Sequence, residues 1–210
     1  MDSALSAFVT LFAIVDPVGT TPLFIALTAS HDAAGRQRIA NRAILVSVGI
    51  LVVFGLAGDA VLAFAGISMP AFRIAGGVLL FLTAIDMLFE RRTARRERRA
   101  EDAAGSPDDP SVFPLAIPLI AGPGAIAAMI LLVGEAAGDT AAQGVVFAMM
   151  GVVLAITWVL FRLGDPIGRA LGRTGIMVVT RLMGMLLAAL AVQFVIDGIV
   201  QTPLVAGAGG

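Results

Sequence analysis

The stretch that decides the fold is "AIVDPVGTTPLF", residues 13–24. It sets one carboxylate, two prolines, a glycine and two threonines inside apolar chain, with "SAFVTLFAIV" ahead of Asp16 and "LFIALTA" after Pro22. Pro17 has no N–H to give the carbonyl of Ala13, and Pro22 has none for Val18; each ring also crowds that carbonyl. A helix that reaches Asp16 is therefore interrupted there. Two short helices joined by a solvated turn would carry such a pattern, and so would one membrane span broken midway.

Composition favours the membrane. Of 210 residues 59% are hydrophobic and 14% charged, where a soluble domain keeps roughly a quarter of its residues charged. Mean hydropathy is +0.98. Ala43–Gly58, Pro110–Gly134 and Thr140–Phe161 contain no Asp, Glu, Lys or Arg, and about 20 apolar residues cross a hydrocarbon core. Six spans are expected at about 4–29, 42–65, 69–89, 112–134, 141–163 and 176–200. Asp2 stands where a signal peptide would carry a basic residue, so the first span is expected to be retained. With no cysteine, disulfides and thiolate metal sites are excluded.

All 14 basic residues are Arg. Arg36, Arg38 and Arg42 fall between spans one and two, six arginines fall in "RRTARRERR" between three and four, and Arg162, Arg169 and Arg173 fall between five and six. The remaining two links have none. Three Arg-bearing links on one side of six crossings place that side in the cytoplasm and both termini outside. The run at 91–99 reads as a cytoplasmic loop touching anionic lipid, not as a nucleic-acid site.

Two motifs recur in the same order. Arg-x-x-Gly at Arg73 returns at Arg181, an offset of 108, and the break at Pro17 returns in "GPGA" at Pro123, an offset of 106. The chain thus divides into a three-span repeat at 1–90, a loop at 91–110 and a second three-span repeat at 111–210. An odd number of spans per repeat inverts the second relative to the first. The expected fold is all-α: six transmembrane helices in two inverted repeats, with Pro/Gly breaks in helices one and four. Paired breaks in corresponding helices point to a transport site near the midplane.

Charges inside the spans narrow its chemistry. Asp16 opens the first break and is suited to capping Gly19 or Thr20. Arg73 and Arg181 would serve either as internal ion pairs or as ligand contacts. Asp59, Asp86 and Asp197 lie near span ends and are expected to snorkel. Pairing Asp16 with Asp86 or Asp197 as an aspartyl protease needs a hydrogen-bonded dyad that no spacing indicates. The absence of Lys rules out a Walker A loop, and His31, the one histidine, lies in a link. No enzyme activity and no metal or organic cofactor is expected.

The motifs resemble those of the MarC-type six-span membrane proteins. "DPVGTTPLF" (16–24), "GISMPAFRIAGG" (66–77), "FPLAIPLIAGPGAIA" (113–127) and "RLMGMLLAALAVQFVIDGI" (181–199) match that family's segments in order. Many of its members carry Asn at the position of Asp16, which implies a shared role in capping or hydrogen bonding. The resemblance implies a multi-pass protein of the bacterial cytoplasmic membrane and, where members are assigned an activity, transport of small neutral amino acids.

A carrier for such a zwitterion is thus the first expectation, with substrate between helices one and four. Its candidate contacts are Asp16, Pro17, Gly19, Thr20, Thr21 and Pro22 at the first break, Gly122, Pro123 and Gly124 at the second, and Arg73 and Arg181. Amides at 19–21 and 124–126 are expected to act as donors, and the carbonyls of Ala13 and Leu119 as acceptors. H⁺ or Na⁺ coupling is open. A channel or exporter for another small solute and a purely architectural subunit are the alternatives. The small-residue pairs Gly144/Ala148 and Gly184/Ala188 allow close helix contact, leaving the oligomeric state open.

Overall fold

A computed structural model of the chain describes residues 2–89 and 110–202. The Arg- and acid-rich loop expected at 91–110 lies outside them except for Pro110, as does the "AGAGG" tail. The described residues form helices and no strand. These are α1 (Asp2–Val15), α2 (Pro17–Leu27), α3 (Ala33–Phe64), α4 (Met69–Leu88), a π-helical segment (Ser111–Ile120), α5 (Pro123–Glu135), α6 (Thr140–Arg162) and α7 (Gly164–Val200). Five stretches are long and apolar enough to cross a membrane: 4–27, 33–64, 69–88, 140–162 and 174–200. The π segment and α5, bent by 55° at their junction, make a sixth if counted as one span.

Local chemistry fixes the ends. Asp32 caps α3, accepting the Gly35 amide at 2.8 Å, and so starts the second helix nine residues before the expected span. Its first turns stand outside the apolar run. Ser68 caps α4 with Pro70 in the first turn, and Asp139 caps α6 by accepting the Ala141 and Ala142 amides. Asp and Ser favour these positions because their oxygens satisfy amides that the first turn leaves without partners. Gly66, at φ +69°, makes the turn into α4. Gly172, at φ +58° and ψ +177°, interrupts α7 two residues before its membrane-length part. Six hydroxyls (Thr20, Thr21, Thr28, Ser47, Thr83 and Thr157) bond carbonyls three or four residues back, keeping polar groups satisfied without water.

The helices associate by element pairs. α1 and α2 pack on α6, the π segment and α5 pack on α3, and α4 packs on α7 over the most extensive contact among the described helices. That last pair is antiparallel: Gly198 abuts Pro70 and Ile74, Gly77 abuts Ala191 and Val195, and Gly184 abuts Ala84 and Met87. Glycines let the backbones approach where lipid offers no hydrophobic drive between helices. The outer faces carry Val53, Leu56, Leu82, Leu182 and Val192, all exposed, an apolar exterior suited to hydrocarbon.

Candidate functional site

Asp16 is the hinge of the first span. Its backbone is left-handed, φ 54° and ψ 64°, a region that L-residues avoid and that Asn and Asp enter most easily. One residue in that state suffices to break the helix. Asp16 N–H still donates to Phe12 O at 2.9 Å, closing α1, and Asp16 O accepts Thr20 N at 2.9 Å, opening α2. Pro17 occupies the first helical position, where its missing N–H costs nothing. The Asp16 carboxylate accepts the Gly19 amide at 3.1 Å. Gly19 is required there, because a Cβ would run into that carboxylate. Asp16 is only 2% exposed, and the Thr180 hydroxyl of α7 reaches its Oδ1 at a long 3.4 Å.

The second break is wider. Phe113 and Ile117 are extended, φ near −124° with ψ near +122°. Each precedes a proline, whose ring pushes its predecessor out of the helical region. Both X–Pro bonds, at Pro114 and Pro118, are cis. Hydrogen bonds here span five residues, Leu115 N to Pro110 O at 3.2 Å and Ala121 N to Ala116 O at 2.9 Å. Gly122 then opens α5 with Pro123 at its first position, and no side chain caps that end.

The two breaks are neighbours. A Cβ on Gly124 would lie 3.5 Å from Ile14, two residues before Asp16, and within 3.7 Å of Leu80 and Thr83 on α4. They differ electrostatically. A carboxylate already occupies the N-terminus of α2, so the Gly19 amide, expected as a substrate donor, is bonded within the protein. The uncapped start of α5 keeps the partial positive charge of a helix N-terminus. Thr20 and Thr21 are buried with their hydroxyls turned to Asp16 O and Pro17 O; Thr21 and Ile25 abut Gly164. Pro22 is half-buried within α2, and Pro123 is exposed.

The structure separates the two arginines. In the antiparallel α4–α7 pair, Arg73 is level with the end of α7, near Gly198, and Arg181 lies at the other end. Arg73 is buried, and its Nη2 is 3.4 Å from Oε1 of Glu135 at the C-terminus of α5. Its Nε has no hydrogen-bond partner among the described residues. Arg181 is exposed, next to Thr180. At the opposite end of α7, the end level with Arg73, Gln193 donates to Asp197 at 2.7 Å. Glu135, Thr180, Ile14 and Thr83 thus belong to these sites without having been singled out by sequence. Each earns its place through another span, a relation that no periodicity within its own helix displays.

The profile of a family described as MarC family integral membrane protein matches residues 1–202. A UPF0056 membrane protein of Methanocaldococcus jannaschii is 38% identical over 92% of this chain and 94% of its own length. The UPF0056 membrane protein YhcE of Escherichia coli is 37% identical over 91% and 89%, and YvbG of Bacillus subtilis is 35% identical over 91% and 92%. No solved structure matches the chain.

Proposed function

The chain belongs to the MarC family of multi-pass integral membrane proteins, and from that premise we propose that it is a carrier for small neutral amino acids or a similar small zwitterion. The single observation behind this reading is the adjacency of two unlike breaks: the first carries a buried carboxylate at Asp16, and the second, the uncapped start of α5, approaches it through Gly124 at Ile14, two residues before Asp16. A zwitterion needs both. Its ammonium goes to the Asp16 carboxylate and its carboxylate to the amides of α5, which a helix N-terminus favours. The surroundings are tight, since a Cβ on Gly124 would already lie within 3.7 Å of Ile14, Leu80 and Thr83, which favours a small substrate. Burial of Asp16 at 2% fits an occluded carrier state better than an open channel.

The inverted repeat is part of this reading. Pro17 and Pro123 each stand at the first position of the second half of a broken span. Exchanging the first three spans with the last three maps the pairing of span one on five onto that of four on two, and maps three on six onto itself. Such symmetry supports alternating access around a fixed midplane site. Arg36, Arg38, Arg42 and Arg162 set the cytoplasmic side and leave the termini outside. Binding and release are the whole chemistry, driven by an H⁺ or Na⁺ gradient or by the substrate gradient itself.

The test is glycine and alanine counterflow in liposomes of verified protein orientation. Saturable counterflow is expected, and it should disappear in Pro17→Ala/Pro22→Ala, whose first span becomes continuous. Absence of counterflow in the unaltered protein would overturn the proposal. So would linear, non-saturating flux, which fits a channel.

A further inference from the structure

Four helix ends meet at one face of the bundle: the C-terminal ends of α3, α5 and α7 and the start of α4. A Cβ on Gly134, near the end of α5, would lie 2.7 Å from Met69 Cε of α4 and 3.5 Å from Asp59 Oδ1 of α3. Gly198 of α7 abuts Pro70 and Ile74 of α4. These contacts gather the Arg73 guanidinium with Glu135, Asp59 and Asp197, and the Asp197 charge is close enough to act on Glu135. The group stands apart from the paired breaks. Glu135 is eleven residues beyond Gly124, about 16 Å along α5.

The Arg73 fork is half used. Nε and Nη2 form the edge of a guanidinium that takes both oxygens of a carboxylate in parallel. Glu135 sets one oxygen 3.4 Å from Nη2, beyond the roughly 2.7–2.9 Å of a good charged hydrogen bond. Nε is buried and has no partner among the described residues. The two partners are also held unequally. The Arg73 side chain is 6% exposed, whereas that of Glu135, on the last residue of α5, is 37% exposed. Asp197 takes a neutral donor, the Gln193 amide. One carboxylate-binding edge is thus incomplete beside acids that outnumber the guanidinium. A lone anion would be repelled by those acids and a lone cation by Arg73; a small solute with both charges meets each with its opposite.

We propose that this end of the bundle is a second binding site for a small zwitterion, a loading site distinct from the breaks. The solute's carboxylate bridges Nε and Nη2 of Arg73 in place of Glu135, and its ammonium lies between the released Glu135 carboxylate and Asp197. The choice of ligand rests on the carrier reading, whereas the unfilled edge does not. α5 joins the two sites, since it begins at the second break and ends at Glu135.

The chain has no cysteine, so Met69→Cys supplies a single thiol. It stands one turn before Arg73 on the same helix face and beside Gly134. The experiment follows its reaction with a charged methanethiosulfonate in the full chain in neutral detergent, against glycine, glycine methyl ester and acetate. Glycine should slow the reaction saturably. The ester, which lacks the carboxylate, and acetate, which lacks the ammonium, should need concentrations about tenfold higher or more, the cost of losing one charged hydrogen-bonded contact. Arg73→Gln should raise the glycine midpoint by a similar factor, and Arg38→Gln, an equal charge loss near the other end of α3, should not move it. The proposal is overturned by no saturable protection, by equal protection from acetate or the ester, or by a midpoint that follows Asp16→Asn instead of Arg73→Gln. If Arg73→Gln does not fold, the comparison of the three solutes and the Asp16→Asn arm decide by themselves. Protection without counterflow keeps this site and removes the carrier; counterflow without protection does the reverse.

Discussion

Asp16 shows how much one residue can carry. It separates α1 from α2, caps α2 and keeps a buried carboxylate midway along an apolar stretch, all from one left-handed backbone state. These roles separate by substitution. Asn caps as well as Asp and tolerates the same backbone, so Asp16→Asn should leave the melting temperature nearly unchanged. Under the proposed carrier function, losing the charge should still raise the half-saturating glycine concentration roughly fivefold, the difference between a charged and a neutral hydrogen bond. Asp16→Ala should lower stability by about 1–2 kcal/mol through loss of the cap. Gly19→Ala should behave likewise, because its methyl group displaces the capping carboxylate; circular-dichroism melts compare all three. The cap was legible in "DPVG", where an acid, a proline and a glycine follow in the order a helix start uses. The Thr180 contact was not, since it lies 164 residues away.

Among elements, the two breaks share a position and differ in build. One proline after an αL residue makes a break one residue wide. Prolines at 114, 118 and 123 force extended residues at 113 and 117 and stretch the disturbance over the whole π segment. The α4–α7 seam is the other decisive element. A Cβ on Gly77 would lie 2.7 Å from the Ala191 carbonyl oxygen and from Val195 Cγ2, so Gly77→Ala should destabilise by about 1–3 kcal/mol through overpacking. Gly144 meets nothing within 4 Å. There Ala should stabilise by roughly 0.5–1 kcal/mol through helix propensity, and melts of both variants in one detergent test the contrast. Of the two small-residue pairs read from sequence, Gly184/Ala188 faces the core, with Gly184 against Met87 and Ala84, while Gly144 and Ala148 are exposed. Spacing alone treats Gly144 and Gly184 alike, because it does not say which face of a helix has a neighbour.

At the scale of the molecule, Arg73 ties α4 to the end of α5 through Glu135. Among the described residues its Nε lacks a partner and Glu135 is its one ion-pair partner, so the buried guanidinium leans on that pair for its charge. Glu135→Ala should therefore lower stability by about 2 kcal/mol, the usual cost of an unsatisfied buried polar group. Glu135→Asp, which keeps the charge, should recover part of the loss, and the same melts measure both. If Glu135→Ala melts with the unaltered protein, the pair is a surface contact of little weight.

Read alone, the residue order determined an all-helical membrane protein with five or six apolar stretches long enough to cross a bilayer, and the acid, proline and glycine that start a helix at Asp16. These are local consequences of chain chemistry: apolar length, missing amide donors and caps within three residues. Only the tertiary structure decided that the breaks are neighbours, that one is capped by an acid and the other is not, and that Arg73 and Arg181 stand at opposite ends of an antiparallel pair. Those facts depend on which helix faces meet, and the packing of side chains from distant parts of the chain sets that.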